Sequence, residues 1–417
     1  MVRALLLSLL ASLPCVSGLA AEPPAPFALR DGDRVVFYGD SITQEGGYAR
    51  LVEEYVRTRF PAWDVRFYNA GVGGDTVRGG WAGDAATRLE RDVIAWKPTV
   101  VTIMLGMNDG GYKPFDPMTL ARFGEGYRAI LARLGEARPG VRLTLIRSSP
   151  FDDVSRPPLF APGYDDALRR LGCYVTMLGA KERAAVVDFR DPLNAGIAAV
   201  ARDNPELARL ILPDRVHPGP AGNLVMGATL LRAWSAPPLV TRVEIDAAAG
   251  TVVAAEGTDV SGLAAAEGGL AWTQADRALP LPLSFDDADT ELAQRAGADL
   301  EGLDRQPLAV RGLAAGRYEL KIDGQATGRF TETELAAGVN LARFDTPMRG
   351  QAYRVKWSVG DSHERQRVRR QLVAGAANDP AARAAAEALA AVDEAAQAQR
   401  SKDAVPQPRR YELVAVP

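Results

Sequence analysis

Short apolar runs alternate with longer segments whose apolar residues recur every three or four positions between residues 34 and 234. Such a rhythm predicts strands joined by crossover helices, and therefore a parallel sheet covered on both faces. The predicted strands are 34–38, 65–68, 99–105, 141–146 and 185–188. The predicted helices are 48–59, 85–95, 120–138, 165–183 and 219–234. We therefore expect an α/β domain over residues 27–236.

The pattern changes after Pro237-Pro238. Alternating apolar and polar residues then predict a small antiparallel β module over 240–345, with a tight hairpin turn at Asp323-Gly324 and one helical insertion at 287–302. Residues 346–417 are predicted as a helical tail, in which Asp379 and Pro380 open an Ala-rich helix that ends near residue 400. The residues from Val405 contain prolines and are expected to be loose.

The first residues have the layout of a secretory signal peptide. Arg3 precedes a short apolar run, and small residues follow near Ala20-Ala21. We therefore predict that residues 1–21 are removed and that the protein is secreted or periplasmic; a buried N-terminal helix is the alternative. Cys15 offers a site for a lipid anchor as an alternative, but Leu13-Pro14 before it matches a lipidation motif poorly. Cys173 would then be the one remaining cysteine, on a helix, where we expect a buried and inert thiol.

Charge and hydropathy exclude some classes of function. The formal net charge of −3 leaves no basic field for nucleic acid. No segment after the signal is apolar for long enough to span a membrane. The oligomeric state is not indicated by the sequence.

Polar and glycine-rich segments follow three of the predicted strands. They are Gly39-Asp40-Ser41, Gly71–Thr76 and Gly106–Asp109. Because ligands of parallel α/β sheets bind at the carboxyl ends of the strands, these segments are expected to share one site.

Two histidines occur in the chain, His217 and His363. Asp214 stands three residues before His217, so its carboxylate could orient the imidazole. Ser41 follows the first strand and could be a nucleophile if a base reaches it, although an ordinary helix cap would also explain an Asp-Ser pair. His363 lies in the polar tail and is expected to be a solvated helix residue.

These segments together resemble the SGNH/GDSL hydrolase family over residues 33–235. Ser41 matches the nucleophile of the first family block, Gly74 the oxyanion glycine of the second, and Asn108 the asparagine of the third. Asp214 and His217 match the last block. The resemblance implies a flavodoxin-like three-layer α/β/α fold and an ester hydrolase.

The resemblance also implies the role of each matched residue. Ser41, His217 and Asp214 would form the catalytic triad, and the N–H groups of Ser41 and Gly74 with the Asn108 side chain would form the oxyanion hole. Asp40 is expected to support the turn. No metal or other cofactor is implied.

Three hypotheses about the substrate stay open. The first is an esterase that removes acetyl or other acyl groups from carbohydrate, because export favours a small-molecule or polysaccharide ester. The second is a lipase or thioesterase for longer chains, and the third is a non-catalytic glycan-binding protein. Arg78, Trp81 and Tyr112 are candidates for the rim of a sugar-binding cleft, although they could equally pack the loops.

Overall fold

A parallel sheet of five strands forms the centre of the first half of the chain in the computed structural model, which describes residues 25–266, 268–375 and 379–417. The strands are β1 Arg34–Gly39, β2 Arg66–Gly71, β3 Val100–Met104, β4 Arg142–Arg147 and β5 Ala185–Asp188. Their order in the sheet is β2-β1-β3-β4-β5. The predicted signal segment and Cys15 lie outside the described residues.

Six helices connect and cover these strands, and a helical layer lies on each face of the sheet. They are α1 Ser41–Glu45, α2 Gly47–Arg59, α3 Pro117–Ala137, α4 Tyr164–Glu182, α5 Arg190–Ala201 and α6 Pro220–Ala233. Along β1, Val35 and Phe37 join the core beneath α2, α5 and α6, whereas Val36 and Tyr38 join the core beneath α3 and α4. Successive side chains of β1 thus enter two different cores, one on each face of the sheet, and the predicted three-layer fold is confirmed.

Shorter elements complete this region. They are the two-residue strands Gly79–Gly80 and Gly83–Asp84, the helical turns Ala85–Arg88, Leu89–Val93 and Ile94–Trp96, and the turn Pro205–Ala208. The single helix predicted over 85–95 is therefore irregular: it begins as α-helix, widens to a π turn and ends as a 3₁₀ turn.

Two further sheets pack around a separate apolar core in the second half of the chain. Their strands are β6 Arg242–Asp246, β7 Thr251–Glu256, β8 Thr258–Ala266, β9 Gly269–Asp276, β10 Pro307–Arg311, β11 Arg317–Ile322, β12 Gln325–Thr331 and β13 Arg409–Val416. One sheet has the order β8-β9-β13-β11-β12, and the other joins Val339–Asn340, β10, β6 and β7. The predicted hairpin turn is confirmed, because Asp323 and Gly324 link β11 and β12 with φ angles of 51° and 79°.

Four longer helices lie in this part of the chain. They are α7 Ala288–Arg295, α8 Glu332–Ala337, α9 Pro347–Gly375 and α10 Pro380–Ala404, with short turns at Leu300–Leu303 and Leu341–Arg343. Within α7, Leu292 and Ala293 pack into the core of the first half. The predicted helical insertion is thus part of both regions, and the domain boundary near residues 236–240 stays a prediction. No helix among the described residues is long and apolar enough to cross a bilayer.

The expectation of a loose C-terminus is wrong. Arg409–Val416 forms β13, which pairs with β9 on one side and β11 on the other. Tyr411 and Leu413 are fully buried in the core between the sheets. Pro406 and Pro408 precede the strand and Pro417 follows it, and the period-two pattern of the residues between them decides its structure.

The expectations for His363 and Cys173 are also wrong. His363 is 6% exposed, and its Nε2 lies 3.0 Å from Glu53 Oε2 on α2. Cys173 is exposed, while Leu171 and Val175 on the same helix are buried. A helix turns by about 100° per residue, so a position inside an apolar-periodic stretch can still face solvent.

Helix α9 covers the edge strand of the parallel sheet. The side chain of Gln366 accepts a hydrogen bond from Asn69 N–H at 3.0 Å and donates one to the Phe67 carbonyl at 3.1 Å. The side-chain amide thereby makes the two hydrogen bonds that a neighbouring strand would make, and α9 covers the edge of β2. The C-terminal region is thus bound to the sheet next to the loop that follows β2.

We expect Leu413→Ala to destabilise the protein by about 2–5 kcal/mol, since it leaves a cavity beneath the central strand of the C-terminal sheet. Urea denaturation followed by tryptophan fluorescence measures this loss. The neighbouring Val414→Ala, at a half-buried position, is the matched control and is expected to cost less than half as much. Equal stability of Leu413→Ala and the unchanged protein would contradict the central place of β13.

Candidate active site

Ser41 lies at the first position of α1, directly after β1. The turn is tight: a Cβ at Gly39 would stand 2.2 Å from Thr43 Oγ1, so only glycine allows the helix to fold back over the strand end. Asp40 caps α1 by accepting a hydrogen bond from Ile42 N–H at 3.0 Å. The sequence around Ser41 thus presents its hydroxyl at the carboxyl edge of the sheet.

His217 and Asp214 meet Ser41 from the loop before α6. Ser41 Oγ lies 2.8 Å from His217 Nε2, and His217 Nδ1 lies 2.6 Å from Asp214 Oδ2. The other oxygen of Asp214 accepts hydrogen bonds from the backbone N–H groups of Val216 and His217, at 3.0 and 2.7 Å. The carboxylate therefore holds both the ring and the backbone of the same short turn.

Asn223 ties this turn to the helix that follows the serine. Its Oδ1 accepts a hydrogen bond from Tyr48 N–H at the start of α2, at 3.0 Å. Its Nδ2 donates to the carbonyls of Pro218 and Gly219, at 2.7 and 3.1 Å. Asn223 is not predictable from the sequence, because an asparagine within a helix carries no signal for a contact 175 residues away.

The loop after β2 borders Ser41. A Cβ at Gly73 would stand 3.9 Å from Ser41 Cβ, and Gly73 N–H donates to Gln44 Oε1 at 2.8 Å. Gly74 has a φ of +76°, which favours glycine. Within the described residues, the backbone N–H groups of Ser41 and Gly74 donate to no protein acceptor. Two backbone donors are thus left free beside the serine hydroxyl.

Asn108 follows β3 and contacts the same loop. Its Nδ2 donates to the Asp75 carbonyl at 3.0 Å, and its Oδ1 accepts from Tyr112 Oη at 3.1 Å. An amide nitrogen carries two hydrogens, so one donor is left for a ligand. The structure thus joins the segments of Gly74 and Asn108 next to Ser41.

A buried arginine that sequence analysis missed supports this loop. Arg88 is fully buried, with its Nη2 2.8 Å from Asp75 Oδ2 and its Nη1 2.5 Å from Asp92. It also donates to the Ala70 carbonyl at 2.9 Å and lies over the ring of Tyr38. Asp92 is a helical neighbour of Arg88, but Asp75 and Ala70 belong to the loop and strand before it, so neither spacing nor composition predicts an arginine whose whole guanidinium is satisfied inside the domain.

The predicted rim residues are all exposed near the loops. Trp81 is 64% exposed, and its indole N–H donates to the Gly73 carbonyl at 3.0 Å. Tyr112 is 39% exposed and packs on Phe151 and Tyr164, which are buried beneath it. Arg78 is exposed on the turn between Gly74 and Trp81. Trp81 and Tyr112 therefore flank the loops of Gly74 and Asn108.

Burial and hydrogen bonding shift the carboxyl groups of the site in opposite directions. Burial raises the pKa of Asp40 to about 7 despite its hydrogen bond from Ile42, and burial also raises the pKa of Asp109 to about 7. For Asp214, burial acts to raise the pKa, but hydrogen bonds from the ring and backbone of His217 outweigh it and lower the pKa. Asp214 is therefore a carboxylate at neutral pH.

Residues 37–225 match the model of the GDSL-like lipase/acylhydrolase family. These residues form a GDSL-like lipase/acylhydrolase domain. By this domain the protein is a carboxylic ester hydrolase, and the hydroxyl, imidazole and carboxylate described above lie within the matched residues.

Three similar proteins place the GDSL-like hydrolase among known relatives. It is 28% identical over 230 residues to an acetylxylan esterase from Geobacillus stearothermophilus, covering 48% of this chain and 93% of that protein. A solved gut microbial diltiazem-metabolizing enzyme is similar with a TM-score of 0.84 and 25% identity, over 93% of this chain and 98% of that one. A solved acetylxylan esterase from G. stearothermophilus matches 50% of this chain and 96% of its own, with 26% identity and a TM-score of 0.41. The architecture of nearly the whole hydrolase, including its C-terminal sheets, is thus shared with another enzyme.

We expect Asp40→Asn to flatten the dependence of stability on pH. The pKa of buried Asp40 is raised, so the stability associated with its neutral form is complete below about pH 4 and is lost as pH rises to about 7. Asparagine stays neutral and can still accept from Ile42 N–H. The free energy of unfolding of the unchanged protein should therefore fall, relative to that of the variant, by up to about 4 kcal/mol between pH 4 and pH 8.

Urea denaturation at pH 4, 6 and 8 measures this difference. The matched control is Asp116→Asn, which replaces the exposed carboxylate that caps α3. Between pH 6 and pH 8, the free energies of unfolding of Asp116→Asn and of the unchanged protein should change by the same amount. Parallel pH profiles for Asp40→Asn and the unchanged protein would contradict a buried Asp40 that titrates near pH 7.

Proposed function

We propose that the hydrolase is an exported serine esterase that removes acetyl or other short acyl groups from carbohydrate. The observation that carries the proposal is the chain of contacts from Ser41 Oγ to His217 Nε2 at 2.8 Å and from His217 Nδ1 to Asp214 Oδ2 at 2.6 Å. These three groups are the nucleophile, base and orienting carboxylate of an acyl-transfer site.

The acylation step begins with proton transfer from Ser41. Since Asp214 accepts the proton on His217 Nδ1, the neutral ring presents an unprotonated Nε2 to the serine hydroxyl. Ser41 Oγ attacks the ester carbonyl as its proton passes to Nε2. The protonated His217 then gives this proton to the alcohol oxygen, and the alcohol leaves as the acyl-serine forms.

Deacylation repeats these steps with water. His217 takes a proton from a water molecule, whose oxygen attacks the acyl-serine, and returns the proton to Ser41 Oγ as the acid leaves. Asp214 stabilises the imidazolium that forms in both steps and keeps the ring in orientation. The low pKa of Asp214 supports this role, because only the ionised carboxylate stabilises the imidazolium.

The negative charge that develops on the carbonyl oxygen needs donors. We assign the free N–H groups of Ser41 and Gly74 and the remaining N–H of Asn108 to this oxyanion hole. Donors held in place before the reaction need no reorganisation in the transition state, and the loss of one such donor typically costs about 3–4 kcal/mol of barrier. Arg88 and Asp75 support the hole by fixing the loop that carries Gly74.

The carbohydrate part of the proposal is supported by the relative that acts on acetylxylan, whose length this chain matches over 93%. The exposed faces of Trp81 and Tyr112 beside the site are suited to the C–H surface of a sugar ring. Lipase or thioesterase activity on long chains and glycan binding without catalysis are the alternatives that the following experiment distinguishes.

We expect purified protein to hydrolyse p-nitrophenyl acetate and acetylated xylo-oligosaccharides, and to be slower on p-nitrophenyl octanoate. Ser41→Ala and His217→Ala should each lower kcat by about 10⁴-fold or more, and Asp214→Asn by less, since a residual ring position can still act as base. Steady-state kinetics on the three substrates measures these losses. Cys173→Ser, at an exposed position away from the site, is the control and should keep full activity.

Each other outcome contradicts a part of the proposal. Faster hydrolysis of the octanoate ester would favour a lipase. Equal inactivity of the unchanged protein and Ser41→Ala on all three esters would remove the enzymatic mechanism and leave glycan binding.

Export rests on the sequence of residues 1–21 alone. We expect the full-length chain, expressed in a bacterium, to be recovered outside the cytoplasm with a new N-terminus near Ala21. N-terminal sequencing of the recovered protein measures this. An intact Met1 on cytoplasmic protein would contradict export.

A further inference from the structure

A groove of about 830 Å³ opens beside His217 and runs between α2, α6, α7 and α9. Pro218, the residue after His217, lines it, and so does Glu45, whose carboxyl is close enough to His217 and Asp214 for their charges to act on it. The volume falls in the range of grooves that hold drug-sized ligands or a few sugar rings. The groove is therefore continuous with the candidate active site.

Glu54 is a buried carboxylate in the lining of this groove. It is 5% exposed, and no described residue donates a hydrogen bond to its carboxyl oxygens. Arg50 and Lys356 act on it only through their charges, and neither forms an ion pair with it. A carboxyl group that is withdrawn from water without a donor is costly, so its position favours a ligand that supplies the donors.

Helix α9 adds aromatic surface to the same groove. Tyr353 lines it, and the ring of Trp357, one turn further along α9, lies 6.2 Å from the Tyr353 ring. Trp357 is 66% exposed. Lys356 Nζ, between them in sequence, lies over the Tyr353 ring and donates to the Pro282 carbonyl at 3.2 Å. The half-buried Tyr353 ring in the lining, with the exposed Trp357 ring next to it, is suited to sugar rings, which combine apolar faces with hydroxyl donors.

The chemistry of the proposed reaction decides which part of the substrate lies here. His217 must deliver its proton to the alcohol oxygen, so the alcohol part of the ester leaves on the His217 side. The oxyanion donors Gly74 and Asn108 belong to the loops after β2 and β3, whereas the groove begins at Glu45 and Pro218. The alcohol part, which is the carbohydrate, therefore extends into the groove from the site, whose other side Trp81 and Tyr112 flank.

We propose that this groove binds the carbohydrate chain of the ester substrate, with Glu54 accepting hydrogen bonds from sugar hydroxyls and Tyr353 packing against a ring. The inference rests on the proposed function and assigns a role to the C-terminal helix α9, which lies outside the residues that match the family model. Burial raises the pKa of Glu54 to about 7, which agrees with a carboxyl that lacks donors in the free protein.

Binding without catalysis tests this proposal first. In the Ser41→Ala background, titration calorimetry at pH 8 with acetylated xylotetraose should show binding, and adding Glu54→Gln should raise the Kd by about tenfold through loss of a charged hydrogen-bond acceptor. Tyr353→Ala should weaken binding by a similar factor. Glu387→Gln, an exposed substitution of the same kind on α10, is the matched control and should leave the Kd unchanged.

Kinetics of the enzyme with Ser41 in place tests the same contact independently. Glu54→Gln should lower kcat/KM for acetylated xylotetraose about tenfold relative to kcat/KM for p-nitrophenyl acetate, and through KM rather than kcat. Glutamine has nearly the same shape and no charge to bury, so the fold is expected to persist, which the melting temperature checks.

Three results would overturn the proposal. The first is that Ser41→Ala does not bind acetylated xylotetraose, and the second is that Glu54→Gln and Tyr353→Ala both leave the Kd within twofold of its value in Ser41→Ala alone. The third is that the groove binds an alkylammonium or fatty acyl probe instead of the oligosaccharide. Failure of the proposed function can be told apart from failure of the groove proposal. If only the proposed function fails, the unchanged protein hydrolyses neither acetylated xylotetraose nor p-nitrophenyl acetate, whereas the calorimetric titration still reports binding.

Discussion

The approach of His217 to Ser41 depends on the hydrogen bonds that hold one turn of chain in place. Ser41 comes from the first strand and His217 from the loop before the last helix of the parallel α/β region, 176 residues later. Asn223 binds that loop to the start of α2, and Asp214 binds its backbone and the imidazole ring at once. Because Ser41 lies at the start of α1, directly before α2, these contacts place nucleophile and base on a common support.

The loops that complete the site depend on a second constraint, the burial of charge beneath them. Arg88 is fully buried and satisfies Asp75 and Asp92, so the loop that carries Gly74 is attached to the interior of the domain. Asp40 and Asp109 are also withdrawn from water beside the site, and their raised pKa values are the consequence. The donors left free, on Ser41 and Gly74, thus belong to segments whose other polar groups are already bound.

The C-terminal region is joined to the hydrolase domain by polar contacts as well as by packing. Glu53 on α2 accepts from Arg57 at 2.6 Å and contacts His363 on α9, and burial of this carboxyl is outweighed by these partners, which lower its pKa to about 2. Arg57 also donates to Gln397 on α10. These contacts bind α9 and α10 to the domain that carries Ser41, and they position the wall of the groove beside His217.

The sequence by itself determined the elements and the chemistry of the hydrolase domain. Short apolar runs located its parallel strands, and the period-3.6 pattern located its longer helices. Four short motifs placed Ser41, Gly74, Asn108, Asp214 and His217 at strand or loop ends, because these features depend on neighbouring residues. Only the tertiary structure decided the rest. The burial of His363 and Glu54, the exposure of Cys173 and the entry of β13 between β9 and β11 depend on residues that are distant along the chain. So do the contacts of Arg88 with Asp75 and of Asn223 with Tyr48. A local pattern states which face of an element is apolar, but the partner that covers that face, or leaves a polar group on it unpaired, is determined by packing between elements.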